Sequence, residues 1–173
     1  MNLIITCARS LESETKNEIS KILDELGDQE PEILNVGMRG ILMVNTIIEP
    51  SKIIDYVKNK IIEEPWLIRY CLRIIPIQKI VETNLEKIQE CISSISNKIE
   101  DNESYRILIE KRNSDISSKE IITNIANQIK NKVSLDFPDK IILIEILGIV
   151  TGISLIKKSD ILSLEKTKRS MSE

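Results

Sequence analysis

Tyr105-Arg-Ile-Leu-Ile-Glu-Lys111 and Lys140-Ile-Ile-Leu-Ile-Glu-Ile-Leu147 are two apolar runs of strand length, rich in isoleucine. Branched side chains of this kind are stiff and pack well on a pleated surface. Between them, Ser117-Ser-Lys-Glu120 has the spacing of a capping box, in which hydroxyl and carboxylate each satisfy a free N–H at a helix start. Ile121, Ile122, Ile125 and Ile129 follow at helical spacing. Strand, helix and strand in this order form a crossover unit, expected to give a parallel, right-handed pair. A third run, Val150 to Lys157, follows Gly148, and Gly152 lies near the bend, so the last two strands read as a hairpin.

Upstream the pattern repeats. Thr83-Asn-Leu-Glu86 is a second capping box, opening a helix with Leu85, Ile88, Ile92, Ile95 and Ile99 inward. Earlier still, Leu3 to Cys7 reads as a strand, and Ser10 is expected to cap a helix through Leu26 that Gly27 ends. Ile33 to Val36 and Ile41 to Val44 flank Gly37-Met-Arg-Gly40, which reads as a hairpin loop. Pro50 suits the first turn of a helix carrying Ile53, Ile54, Val57 and Ile61, and Leu67 to Ile75 closes the order with a strand. The sequence β-α-β-β-α-β is ferredoxin-like. The expected division is a ferredoxin-like domain over 1–75, an α/β domain over 76–164 and a flexible Lys-, Arg- and Ser-rich tail over 165–173, an α+β / α/β chain as a whole.

Composition narrows the chemistry. The 173 residues contain 36 Ile, one Phe, one Trp and no His. Without His the usual general base near neutral pH and the commonest metal ligand are both missing. Cys7, Cys71 and Cys91 have no CxxC spacing and read as structural thiols. No metal, cofactor or catalytic residue is expected: there is no dinucleotide-binding glycine fingerprint, and Asp101, Glu103 and Asp115 sit in loops without fixed spacing. No apolar stretch approaches a membrane span or a signal peptide, so a cytoplasmic location is expected. The net charge of −3 divides unevenly, with −5 over residues 1–65 and +2 over 66–173. Salt screens charges beyond roughly 10 Å, so a local patch decides contact with phosphates, and an RNA partner is permitted.

The run Arg106-Ile-Leu-Ile-Glu-Lys-Arg-Asn113, the helix after Ser117, Lys132-Val-Ser-Leu-Asp-Phe-Pro-Asp139 and Ile141-Ile-Leu-Ile-Glu-Ile146 resemble the central signature of THUMP domains. Ser134 stands where that signature has Asp, and Phe137 where a polar residue is common. Arg69-Tyr-Cys-Leu-Arg-Ile-Ile-Pro-Ile77 and the opening Leu3-Ile-Ile-Thr-Cys-Ala-Arg9 are similar to stand-alone THUMP proteins that assist tRNA cytidine acetylation. The resemblance implies a non-catalytic adaptor that grips the acceptor stem and 3′ end of tRNA for a separate acetyltransferase. It leaves two other readings: the RNA-binding part of a THUMP-type tRNA methyltransferase or thiouridine synthetase, and a protein-interaction module. A homodimer through an N-terminal edge strand is compatible with the residues.

The candidate RNA-binding residues carry positive charge beside apolar strands. Lys111 and Arg112 end a strand just before the helix at Ser117, whose free N–H groups, with Lys119, are suited to a phosphate. Asn113 is suited to a sugar or base edge. Arg69 and Arg73, four apart, are expected on one face of one strand. Arg39 sits exposed between two glycines, and Lys157 and Lys158 are expected to extend the patch. Each has a plainer reading. Lys111, Arg112, Lys157 and Lys158 also suit solvated strand ends, and Arg69 and Arg73 suit surface pairs with Glu63, Glu64 or Glu82. Replacing Lys111 and Arg112 together by Glu is expected to weaken tRNA binding severely and leave the fold and thermal midpoint nearly unchanged.

Overall fold

The computed structural model describes residues 1–172. The chain divides into two units, one of residues 1–76 with the segment from 159 onward, the other of residues 77–158.

The first unit contains β1 (Leu3–Cys7), α1 (Glu12–Glu25), β2 (Glu32–Asn35), β3 (Ile41–Asn45), α2 (Pro50–Glu63) and β4 (Cys71–Pro76). The strands pair antiparallel in the order β2-β3-β1-β4, the ferredoxin-like arrangement. Leu3, Ile5, Leu42, Val44 and Ile74 from the sheet meet Ile19, Leu23, Ile53, Val57 and Ile61 from the helices in one core. Pro50 begins α2, where its missing N–H costs no hydrogen bond. The start of α1 differs from expectation. Its N-cap is Leu11, which makes no side-chain cap, and Ser10 is held in the left-handed region at φ 69°. The carboxylate of Glu12 instead accepts a 2.6 Å hydrogen bond from the Gly40 N–H. Gly40 itself has φ 76°, and a Cβ there would meet the Cys7 carbonyl oxygen at 2.6 Å, so only glycine fits.

The second unit contains β5 (Lys79–Glu82), α3 (Leu85–Ser96), β6 (Tyr105–Arg112), α4 (Ser118–Gln128), β7 (Lys140–Leu147) and β8 (Val150–Ile156). Its sheet runs β5-β8-β7-β6, with β6 and β7 parallel, as the crossover demands, and the other neighbours antiparallel. Ile88, Ile92 and Ile95 of α3, and Ile121 and Ile125 of α4, pack on Ile142, Ile144, Ile146 and Ile153 of the sheet. The capping box read at Thr83–Glu86 shifts by one residue: Asn84 is the cap, while the Thr83 hydroxyl lies 2.8 Å from that of Thr151. β5 escapes sequence reading because a four-residue edge strand with mostly exposed side chains has no apolar run to announce it.

The segment after residue 158 corrects the expected boundary and tail. It returns to the first unit, where β9 (Leu162–Ser163) pairs antiparallel with β4 and α5 (Leu164–Ser172) follows. Leu162 and Leu164 are buried in the first core, and the Lys168 ammonium donates to the Ile68 carbonyl at 2.6 Å. Two leucines among polar residues are a weak periodic signal, yet they suffice to anchor what composition alone marks as loose.

Candidate nucleic-acid interface

Pairing in the second sheet gathers several backbone ends. Arg112 at the end of β6 is opposite Leu147 of β7, Leu147 is opposite Val150 at the start of β8, and Val150 is opposite Glu82 at the end of β5. Both α3 and α4 begin at this same end. The Asn84 side chain accepts from the N–H groups of Glu86 and Lys87, at 2.9 and 3.2 Å, and the Ser117 hydroxyl accepts from that of Glu120 at 3.2 Å. Two helix N-termini therefore direct their positive dipole ends to one side of the sheet.

Lys111 and Arg112, taken together by sequence reading, face opposite ways because side chains alternate along a strand. Lys111 lies on the helix side, where it is exposed and its ammonium donates to the Ile116 carbonyl at 2.9 Å. Arg112 lies on the other side, half-buried, with its guanidinium 3.3 Å from the fully buried Glu145 carboxylate. Its charge is thus engaged within the fold. Asn113 is exposed with φ 53°, a left-handed turn position that Asn tolerates, and the Arg112 carbonyl beside it accepts from the Gly148 N–H at 2.9 Å. Lys119 is exposed in the first turn of α4.

Lys157 and Lys158 do not extend this patch. They follow Ile156, which pairs with Ile141 at the start of β7, so they lie at the opposite end of the sheet. The eight residues of β6 span that gap, about 23 Å at strand rise.

In the first unit, Arg69 precedes β4, and its Nε donates to the Trp66 carbonyl at 3.1 Å. The register of β1 against β4 also shifts between Thr6 and Cys7, so Arg69 and Arg73 do not share a strand face. Neither pairs with Glu63, Glu64 or Glu82 among the described residues. Arg39, Arg69 and Arg73 nevertheless gather at the sheet end where β1 finishes and β3 and β4 begin, and Arg9, overlooked in the sequence, follows β1 at the same end. Glu18 organises this corner, accepting the N–H groups of Arg69, Tyr70 and Cys71 at 2.8 to 3.3 Å. A cleft of about 320 Å³ lies alongside, lined by residues including Lys21, Tyr56, Lys60 and Arg69.

Residues 82–156 match the family described as the THUMP domain. The second unit carries a THUMP domain. At the first of the two departures from the THUMP signature, the Ser134 hydroxyl accepts the Phe137 N–H at 3.3 Å and closes the turn. Within this THUMP domain, sequence reading overlooked the buried carboxylate of Glu145, whose apolar flanks mark it as an interior acidic residue in need of a cation.

The structure is similar to that of PH1313 from Pyrococcus horikoshii Ot3, with TM-score 0.61 and 20% identity over 91% of this chain and 55% of that one. It is similar to TrmN from Thermus thermophilus, with TM-score 0.55 and 10% identity over 90% of this chain and 45% of the other. A 4-thiouridine synthetase in complex with RNA and with bound ATP gives TM-score 0.53 and 11% identity over 94% and 42%. At these identities the likeness is one of fold. The chain spans about half the length of the solved structures it matches. No curated protein matches the sequence.

Proposed function

We propose that this chain binds tRNA at its acceptor stem and 3′ end and presents it to a separate modifying enzyme, a tRNA cytidine N4-acetyltransferase. The THUMP domain carries the RNA-binding part of this reading. The two N-terminal helix ends beside exposed Lys111 and Lys119 offer the phosphate-binding chemistry it needs. Recognition is led by phosphate and shape, since one Phe, one Trp and three Tyr leave little for stacking on a broad sheet. The acetylation partner rests on the sequence resemblance described above, and a binding rather than catalytic role on the lack of any histidine.

A second reading has specific support. TrmN and a 4-thiouridine synthetase are among the similar folds, which favours an RNA-binding part of a tRNA methyltransferase or thiouridine synthetase. The test is a titration with intact tRNA and with the same tRNA lacking its 3′-terminal CCA, at fixed moderate salt. Tight binding that falls on removing the end supports the proposal, and binding to neither RNA overturns it. Stimulation of an acetyltransferase, against stimulation of a methyl- or thiotransferase, separates the two readings.

A further inference from the structure

Cys7 ends β1 and Cys71 begins β4, and a β-bulge sets the two opposite each other. Thr6 is opposite Arg73, so an unbroken register would place Leu72 against Cys7. The shift between Thr6 and Cys7 passes over Leu72 and brings Cys71 there instead. Leu72 is left 41% exposed, whereas Cys71 is buried in the core that holds Ile19 and Leu23 of α1. The Cys7 thiol lies on the same side, in a hydrogen bond with the buried Thr15 of α1. Both free thiols therefore lie between the sheet and α1.

The backbone spacing suits a covalent bond. The Cys7 N–H donates to the Gly40 carbonyl and the Cys71 N–H to the Glu18 carboxylate, both at 2.9 Å, so the pair exchanges no N–H hydrogen bond. Facing residues of that kind in antiparallel strands have Cα atoms about 4.5 Å apart. A disulfide spans Cα separations of roughly 4.4–6.8 Å. Burial, then the Glu18 carboxylate, then Cys7 itself push the Cys71 thiol up, the last as expected of neighbouring sulfurs.

We propose that Cys7 and Cys71 are a redox pair, which hydrogen peroxide joins in a disulfide that ties the end of β1 to the start of β4. Cys7 lies beside exposed Ala8 and Arg9 and meets the oxidant first. Its thiolate takes one peroxide oxygen and becomes a sulfenic acid, while the departing hydroxide recovers the proton that Cys7 gave up. The Cys71 sulfur then attacks the Cys7 sulfur, and the sulfenic oxygen leaves as water with the Cys71 proton. Two thiols and one peroxide thus give one disulfide and two waters, the sulfurs losing the two electrons that the peroxide gains. A thiol reductant reverses the bond by exchange. Burial also raises the Cys7 thiol, against the hydrogen bond with Thr15, so sustained rather than brief exposure to oxidant is needed. The loop closed by the bond takes in most of the first unit and constrains its unfolded state. None of this depends on the RNA-binding reading.

The experiment treats the folded full chain with hydrogen peroxide, alkylates remaining thiols in denaturant and maps the peptides by mass spectrometry, beside Cys7→Ser and Cys91→Ser. The unsubstituted chain and Cys91→Ser are expected to lose two hydrogens and to yield a peptide linking Cys7 to Cys71. Their melting midpoints are expected to rise by about 5 °C, a rise that dithiothreitol removes. Cys7→Ser shows neither change. If Cys7 and Cys71 stay fully alkylatable in the unsubstituted chain, or oxidise to sulfinic acids without a linked peptide, the redox pair is overturned. A linked peptide formed through Cys91, or one between Cys7 and Cys71 that lowers the midpoint, overturns it as well.

Discussion

The Arg112 guanidinium lies 3.3 Å from the Glu145 carboxylate, and the Glu145 side chain has no exposed surface. A carboxylate so placed needs a nearby cation, because the charged form is strongly disfavoured away from water. Arg112 is therefore expected to act first on stability. Arg112→Ala lowers unfolding free energy by about 1–3 kcal/mol, by the cost of leaving a buried acceptor short of its partner. Glu145→Gln, which removes the charge and keeps the shape, costs less. Denaturant melts of the two variants check this, and equal melting of Arg112→Ala and the unsubstituted chain would refute it.

The expectation that Lys111 and Arg112 can be reversed together without disturbing the fold is revised accordingly. Lys111 is exposed and gives up one hydrogen bond to a carbonyl, so Lys111→Glu and Lys119→Glu are the clean probes. Each is expected to weaken tRNA binding several-fold and to reduce the slope of log affinity against log salt by about 1. The midpoint of unfolding stays unchanged. Titrations at several salt concentrations decide it, and an unaltered slope marks these lysines as ordinary solvated side chains.

Glu18 holds the chain entering β4 through three consecutive N–H groups. Glu18→Ala leaves those donors without this acceptor and is expected to destabilise the first unit by about 1–2 kcal/mol. Glu18→Gln keeps one acceptor oxygen and recovers part of the loss. Hydrogen exchange at Tyr70 and Cys71 reads the effect locally, and protection undiminished in Glu18→Ala argues against it.

Acid should weaken the fold in a predictable direction. Asp28 accepts hydrogen bonds from the Thr46 hydroxyl, the Ile47 N–H and the Glu30 N–H, which hold its pKa below the ordinary 3.8. The unfolded chain therefore takes up the proton first as pH falls. The stabilisation is complete above the unfolded value of roughly 3.9 and is lost as pH drops through the lower folded value. Glu12, through the Gly40 N–H, and Asp139, through Ser104, act in the same sense. Asp28→Asn is expected to melt lower at about pH 7 and to lose less on going to about pH 3. An acid loss as large as that of the unsubstituted chain would contradict the assignment.

Residue order alone decided the kinds of elements and their succession. The isoleucine runs at Tyr105–Arg112 and Lys140–Leu147, the cap at Ser117 and Pro50 at the head of α2 are local features, and the energies behind them act within a few residues. The ferredoxin-like order and the crossover unit follow from that succession, since few topologies accommodate it. Tertiary structure decided where charges meet. Whether Lys157 sits beside Lys111 or at the far end of the sheet depends on strand pairing, and Arg112 finds Glu145 across 33 positions of sequence. The return of Leu162 and Leu164 to the first core likewise depends on a surface assembled from residues far away. Alternation and periodicity record which side of an element is apolar; only the packed chain records what that side faces.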